Sequence, residues 1–104
     1  MTKGSKAIAS LPSEAHTALR LLGQRLRAHR LAANWTIEQT AERVLCSPTT
    51  YRALEAGKPS VSLGLMVSAL WVFGRLDDLG QVFPLGEWLI EHRRARRAGG
   101  TSAG

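Results

Sequence analysis

The chain has 104 residues, with 14 lysines and arginines against 8 acidic residues, a net charge of +6 and a sequence pI near 10.8. This length allows one compact domain with tails and excludes a second domain, and the positive excess favours a polyanionic partner. No apolar run approaches the roughly 18 residues that a membrane-spanning helix needs, so no membrane partner is expected.

The N-terminal part of the chain is predicted to be a flexible arm followed by a long helix. Residues 1–12 are basic and then mildly apolar, and their apolar part is too short for a secretory signal. A first helix is predicted from Ser13, as its N-cap, to about Ala33. Its packed stripe is predicted from apolar residues at spacings of three and four, namely Ala15, Leu19, Leu22 and Leu26. Asn34 tolerates a left-handed conformation and is expected to end the helix, and Trp35 is expected to pack against the core.

Two short helices across a tight turn are predicted next. Thr36 is expected to cap the first, with Gln39 three residues later completing a capping box. This helix is expected to stop near Leu45. Ser47 then caps a second helix whose first position is Pro48, where the missing N–H has no intrahelical partner to lose.

The second of these helices has a packed side and an outward side. Tyr51 and Leu54 are its predicted buried pair, and Gly57 suits the left-handed residue that follows it. The residues left outward are small and mostly uncharged: Thr49, Thr50, Arg52 and Ala53. A helix that presents such a face can approach a nucleic-acid groove closely, which is the geometry of a recognition helix.

Residues from Leu22 to Lys58 resemble the Cro/C-repressor helix-turn-helix family, also called the Xre family. The resemblance is carried by Arg27 and Arg30, by Trp35 and Thr36, by Ala41, and by the run from Leu54 to Gly57. Two positions differ. Leu45 stands in the turn where the family usually has glycine, although leucine resists positive φ, and Ile37 replaces a polar phosphate contact. The resemblance implies an all-α, five-helix DNA-binding domain over residues 13–83.

The resemblance also implies roles for single residues. It places Pro48, Thr49, Arg52 and Ala53 toward bases, and Thr36, Ser47, Thr50 and Lys58 nearer phosphates. Arg52 is the only long donor on this face and can bind guanine in bidentate fashion. A structural ion pair between Arg30 and Glu55 is implied as well, tying the first helix to the recognition helix.

Two further helices are predicted to complete the domain. Ser62 is a candidate cap for a helix with an inward stripe of Leu63, Met66, Val67, Leu70 and Phe73. Trp71 and Val72 lie off that stripe, where they can cover a second subunit or a partner protein. Residues 75–83 are predicted to form a short fifth helix packed through Leu76, Leu79 and Phe83.

Residues 84–104 form a basic C-terminal tail. Glu87 and Glu91 stand early and four arginines late in a possible helix, which complements a helix dipole. Trp88, Leu89 and Ile90 form an apolar triplet that is a candidate dimer or partner contact. Two interpretations remain open, a frayed charged tail and an interaction segment whose arginines follow DNA or meet an acidic protein surface. The final six residues are expected to be disordered.

Catalytic and metal sites are not expected. His16, His29 and His92 do not stand at the spacing of a chelating pair, and Cys46, the only cysteine, lies in the turn. A single cysteine cannot form an internal disulfide, which favours the cytoplasm. The sequence contains no Gly-rich phosphate loop and no nucleophile elbow, so neither an enzyme nor a cofactor is predicted.

The sequence therefore predicts a DNA-binding transcriptional repressor of the Xre type, acting as a homodimer on double-stranded operator DNA. The resemblance extends to HipB-like antitoxins, which implies autoregulation of a toxin-antitoxin operon and binding to a toxin, with a kinase-type toxin as one candidate. A phage-type or stand-alone Xre regulator without a toxin partner would have a similar sequence, and this alternative remains open.

Overall fold

The computed structural model of the chain describes residues 8–99, except the side chains of residues 88, 90, 95 and 97 to 99. Residues 1–7 of the predicted arm, residues 100–104 of the predicted disordered end, and the side chains of Trp88 and Ile90 therefore lie outside the described residues. The elements are α1 (Ser13–Ala32), α2 (Ile37–Val44), α3 (Pro48–Glu55), α4 (Leu63–Val72), a 3₁₀ helix (Leu76–Gln81) and α5 (Glu87–Gly99). The described residues contain no strand, and the all-α prediction is confirmed.

The first helix starts one residue differently from the prediction. Pro12 is the N-cap, in extended conformation, and its carbonyl accepts from the backbone N–H groups of Ala15 and His16. Ser13 is already inside the helix and caps nothing, so its predicted role is wrong. The helix ends where the prediction put it, because Asn34 adopts a left-handed φ of 60°.

The caps of the next two helices follow the prediction. The Thr36 hydroxyl accepts from the Gln39 N–H at 3.0 Å, and the Gln39 side chain accepts from the Thr36 N–H at 2.9 Å. Ser47 caps α3, whose first residue is Pro48. These short-range hydrogen bonds satisfy N–H groups that the first turn of a helix leaves unpaired.

Leu45 ends α2 in a left-handed conformation, with a φ of 66°. The turn thus has the backbone that the resemblance implies, although the residue is not glycine. The Leu45 side chain is 91% exposed, so it contributes no packing in return for this conformation. Gly57, after α3, is also left-handed, at a φ of 72°.

A small core joins α1, α2, α3 and α4. Its buried apolar members are Leu26, Ala41, Val44, Tyr51, Leu54 and Ala69. Tyr51 and Leu54 are buried as predicted, and Ile37 packs half-buried against them. The core is thus centred on the helix pair α2 and α3.

The packed face of α4 includes most of the predicted stripe. Four of its five residues are half-buried, namely Met66, Val67, Leu70 and Phe73. The fifth, Leu63, is exposed, and Ala69, which was not predicted, is fully buried. Val72, predicted to face away, packs against the core. The helix is apolar on all sides, so periodicity cannot select one face. The helix docks at Ala69, a small residue that permits a close approach.

The predicted fifth helix is a 3₁₀ helix, and its predicted packed side is not packed. Leu76, Leu79 and Phe83 are all exposed, and Phe83 lies at a left-handed φ of 55°. The segment packs mainly against α4, and these three apolar side chains stay largely uncovered by the described residues. Beyond it, residues 87–99 are helical.

Candidate nucleic-acid interface

The N-terminal part of α3 has an accessible polar face. Thr49, Thr50 and Arg52 are exposed, whereas Pro48 and Ala53 are half-buried. The opposite side of the helix holds Tyr51 and Leu54 in the core. This division leaves a short polar surface that an α-helix can insert into a major groove.

Thr36, Ser47 and Thr50 lie at the starts of α2 and α3. The Ser47 hydroxyl donates to the Thr50 hydroxyl at 2.9 Å and accepts from the Thr50 N–H at 3.1 Å. All three residues are exposed, and Lys58 is exposed beyond the end of α3. The helix N-termini carry positive partial charge, which suits a phosphate that approaches them.

Arg52 projects from this surface but is not free in the chain. Its Nη2 donates to Glu38 Oε2 on α2 at 3.2 Å, and the two side chains are 54% and 65% exposed. The remaining guanidinium N–H groups make no hydrogen bond within the described residues. Sequence reasoning missed this pair, because the two residues stand 14 positions apart on different helices.

Arg30 and Glu55 form the ion pair that the resemblance implies. Arg30 Nε lies 2.6 Å from Glu55 Oε2 and Nη2 lies 3.1 Å from Oε1, with side-chain exposures of 9% and 8%. Arg30 Nη1 donates to the Trp35 carbonyl at 3.0 Å. The hydrogen bonds to Glu55 raise the pKa of Arg30 above its usual value despite burial. One guanidinium thus fixes the end of α1, the start of α2 and the end of α3 together.

Tyr51 lies beside this ion pair. Burial raises the pKa of Tyr51 well above its usual range, and the Glu55 carboxylate raises it further. The hydroxyl is close enough to respond to these charges, yet it makes no hydrogen bond of good geometry. Tyr51 is therefore a neutral core residue with an unsatisfied polar atom.

Two glycines allow α1 to approach the end of α3. A Cβ at Gly23 would overlap the Glu55 carbonyl oxygen and lie 2.8 Å from its carbon. A Cβ at Gly57 would overlap the Leu19 carbonyl oxygen. The sequence signal for Gly23 was a glycine inside an amphipathic helix, which often marks close packing.

Trp35 anchors the start of α2 from the other side. Its ring lies 5.2 Å from the Phe73 ring, and the Arg43 guanidinium lies 4.2 Å above it. Trp35 is half-buried and contacts Phe73, which packs against the core, so its predicted role as a core residue is met only in part. The start of α2 is therefore held by the Arg30 hydrogen bond to the Trp35 carbonyl and by the packing of the Trp35 ring.

Trp71 is exposed near the end of α4, as expected for a residue off the packed stripe. Other large apolar side chains are exposed in the segment that follows, namely Val82, Phe83 and Leu85. Leu89 is half-buried on α5. Trp88 and Ile90, the other members of the apolar triplet, lie outside the described side chains.

Other chemistry is limited in the described part of the chain. Residues 8–99 hold no cluster of three or more His, Cys, Asp or Glu side chains that could bind a metal ion. No helix within that range is long and apolar enough to cross a membrane. Cys46 is half-buried, and burial raises the pKa of its thiol, which keeps the sulfur protonated and weakly nucleophilic.

Comparison with known proteins identifies the helix pair independently. No curated protein and no solved structure matches the chain. The family described as a helix-turn-helix domain matches residues 21–80, which is more than half of the chain. The matched range starts within α1 and ends in the 3₁₀ helix, so it contains the whole α2–α3 unit and its supports. The chain therefore belongs to the helix-turn-helix domain family.

Proposed function

We propose that this protein is a sequence-specific regulator that binds double-stranded DNA with α3 as its recognition helix. The observation that carries the proposal is the combination of a rigid base and an accessible face. The buried Arg30–Glu55 pair holds α3 in place, and Thr49 and Arg52 project from its first turns without packing neighbours in the core.

The proposed residue roles are those that the resemblance to the Xre family implies. Bases are contacted by Pro48, Thr49, Arg52 and Ala53, and phosphates by Thr36, Ser47, Thr50 and Lys58. The methyl groups of Thr49 and Ala53 suit contact with thymine methyls, and the Arg52 guanidinium suits the O6 and N7 atoms of guanine. The net charge of +6 supports attraction to the phosphate backbone.

Selection of bound duplexes from a randomised pool tests the proposal directly. Arg52→Ala is expected to weaken binding to the selected sequence by about 1 to 3 kcal/mol and to relax preference at one base pair per half-site. Arg27→Ala, which removes the same charge from an exposed position of α1, serves as the control. Equal loss on all sequences would make Arg52 a phosphate contact. Selection that yields no enriched sequence would refute sequence-specific binding.

We infer that the active species is a homodimer, with recognition helices in successive major grooves about 34 Å apart. Exposed apolar side chains concentrate from Trp71 to Leu85, and soluble monomers rarely expose contiguous apolar patches of large area. Trp71→Ser is expected to yield monomers in sedimentation velocity, whereas Leu31→Ser, an exposed apolar change on α1, is not. A wild-type chain that stays monomeric at tens of micromolar would refute the dimer.

We further propose that the protein is an antitoxin that represses its own operon and binds a toxin. This proposal is supported by α5, a helix with exposed acidic and basic residues beyond the matched domain. A chain ending at Leu85 tests its role. Loss of the dimer would assign Trp88, Leu89 and Ile90 to the subunit interface. The logarithm of DNA affinity falls linearly with the logarithm of salt concentration, and a slope that is smaller in magnitude by roughly 0.9 per lost phosphate contact would assign the arginines to DNA.

The partner itself is tested on the operon. The full chain is expected to repress a reporter under its own promoter, and to bind the product of any adjacent co-transcribed frame through the tail. If no neighbouring product binds and the truncated chain behaves as the full chain does, the protein is a stand-alone regulator.

A further inference from the structure

The positive charge of the chain is not concentrated on α2 and α3. The proposed reading surface lies on α3 and consists of the residues proposed to contact bases, namely Pro48, Thr49, Arg52 and Ala53. Together α2 and α3 contain three glutamates, Glu38, Glu42 and Glu55, and two arginines, Arg43 and Arg52. Glu55 is neutralised by Arg30, and Arg43 lies over the Trp35 ring. Arg52 is therefore the main cation of the reading surface, and the nearest ionic group to it is the Glu38 carboxylate at 3.2 Å.

We propose that Glu38 is a specificity-determining residue that positions Arg52 for base edges and opposes its capture by phosphates. This inference rests on the proposed DNA-binding function. Arginine has many rotamers, and an unrestrained arginine on an exposed helix reaches the nearest phosphate as readily as a base. A carboxylate on the neighbouring helix restrains the guanidinium through Nη2 alone, so two parallel N–H donors remain for guanine.

The negative charge of Glu38 has a second effect. A carboxylate within hydrogen-bond distance of the reading arginine is itself near any DNA that the arginine contacts. It repels phosphates whatever the base sequence, so it weakens all DNA binding, whereas the orientation that it gives Arg52 is useful only where guanine is correctly placed. The two effects together raise the ratio of specific to non-specific affinity.

The alternative for Glu38 is a purely local role. It stands in the first turn of α2, where an acidic side chain interacts favourably with the helix dipole. In that case its removal would change stability slightly and would leave base preference unchanged.

The experiment compares Glu38→Gln, Glu42→Gln, Arg52→Ala and the double variant Glu38→Gln/Arg52→Ala. Glu42 is exposed on the same helix, so Glu42→Gln removes the same charge without the Arg52 contact. Affinities are measured at fixed salt for the selected duplex, for the duplex changed at the base pair that Arg52→Ala affects, and for a scrambled duplex. Thermal melting checks that each variant is folded.

Glu38→Gln is expected to increase affinity for the scrambled duplex and to lower the discrimination at the Arg52 base pair by about three- to tenfold. Glu42→Gln is expected to keep that discrimination, and in the Arg52→Ala background Glu38→Gln is expected to have no further effect on it. Unchanged discrimination in Glu38→Gln, with Arg52→Ala still altering one base pair, would overturn the inference and leave the proposed function intact. If Arg52→Ala alters no base preference, the proposed reading by α3 itself fails.

Discussion

The ion pair between Arg30 and Glu55 gives the sharpest stability prediction. Glu55→Ala removes the acceptor of two Arg30 hydrogen bonds, at 2.6 and 3.1 Å, and leaves a guanidinium that is 9% exposed without its counter-charge. Breaking a buried pair by removing one partner costs about 3 to 5 kcal/mol. The pair lies at the edge between α1 and α3, where the shortened side chain admits water, so about 2 to 4 kcal/mol is expected.

This change is measured as a shift in thermal unfolding followed by circular dichroism. For a domain of this size each kcal/mol corresponds to about 4 to 8 °C, so a loss of about 2 to 4 kcal/mol in Glu55→Ala should lower the Tm by roughly 8 to 32 °C. Asp78→Ala is the matched control, since Asp78 accepts two hydrogen bonds from Arg75, at 2.9 and 3.0 Å, in a half-exposed pair. That control should melt within about 3 °C of the wild type, because exposed pairs contribute little.

If Glu55→Ala melts as close to the wild type as Asp78→Ala does, the Arg30–Glu55 pair does not stabilise the fold. A further variant separates the stranded charge from lost packing. Arg30→Met combined with Glu55→Leu removes both charges and should recover most of the lost stability, because no unpaired buried charge remains.

Three other substitutions test features of the fold. Gly23→Ala should destabilise the protein by about 1 to 3 kcal/mol despite alanine's higher helix propensity, because the new methyl group overlaps the Glu55 carbonyl. Gly64→Ala is the control, since its methyl group meets no atom within 4 Å, and it should not destabilise the protein. Urea unfolding of both variants measures the two changes. Leu45→Gly should raise the free energy of unfolding by up to about 1 kcal/mol, since glycine adopts the left-handed conformation without the steric cost, and a decrease would mean that the exposed side chain has a contact outside this chain. Tyr51→Phe should also raise the free energy of unfolding, by up to about 1 kcal/mol, because the buried hydroxyl lacks a hydrogen bond; a loss of more than about 1 kcal/mol would show that the hydroxyl bonds to Glu55 after all.

The helix ends and the buried side of α3 could be predicted from the sequence, because the interactions that fix them are local. A cap joins residues three apart, as Thr36 joins Gln39, and the left-handed residues after a helix were expected at Asn34 and Gly57. The one cap prediction that failed is Ser13, because Pro12, one position earlier, occupies the N-cap position.

The tertiary structure decided where local patterns were ambiguous or silent. The helix α4 is apolar on all sides, so only its docking at Ala69 selects the buried face and leaves Leu63 exposed. The segment after it follows a helical pattern, yet Leu76 and Leu79 are exposed, because among the described residues this segment packs mainly against α4. The pairing of Glu38 with Arg52 has no sequence signal at all, since the approach of two side chains 14 residues apart depends on how tightly α2 and α3 pack across their turn.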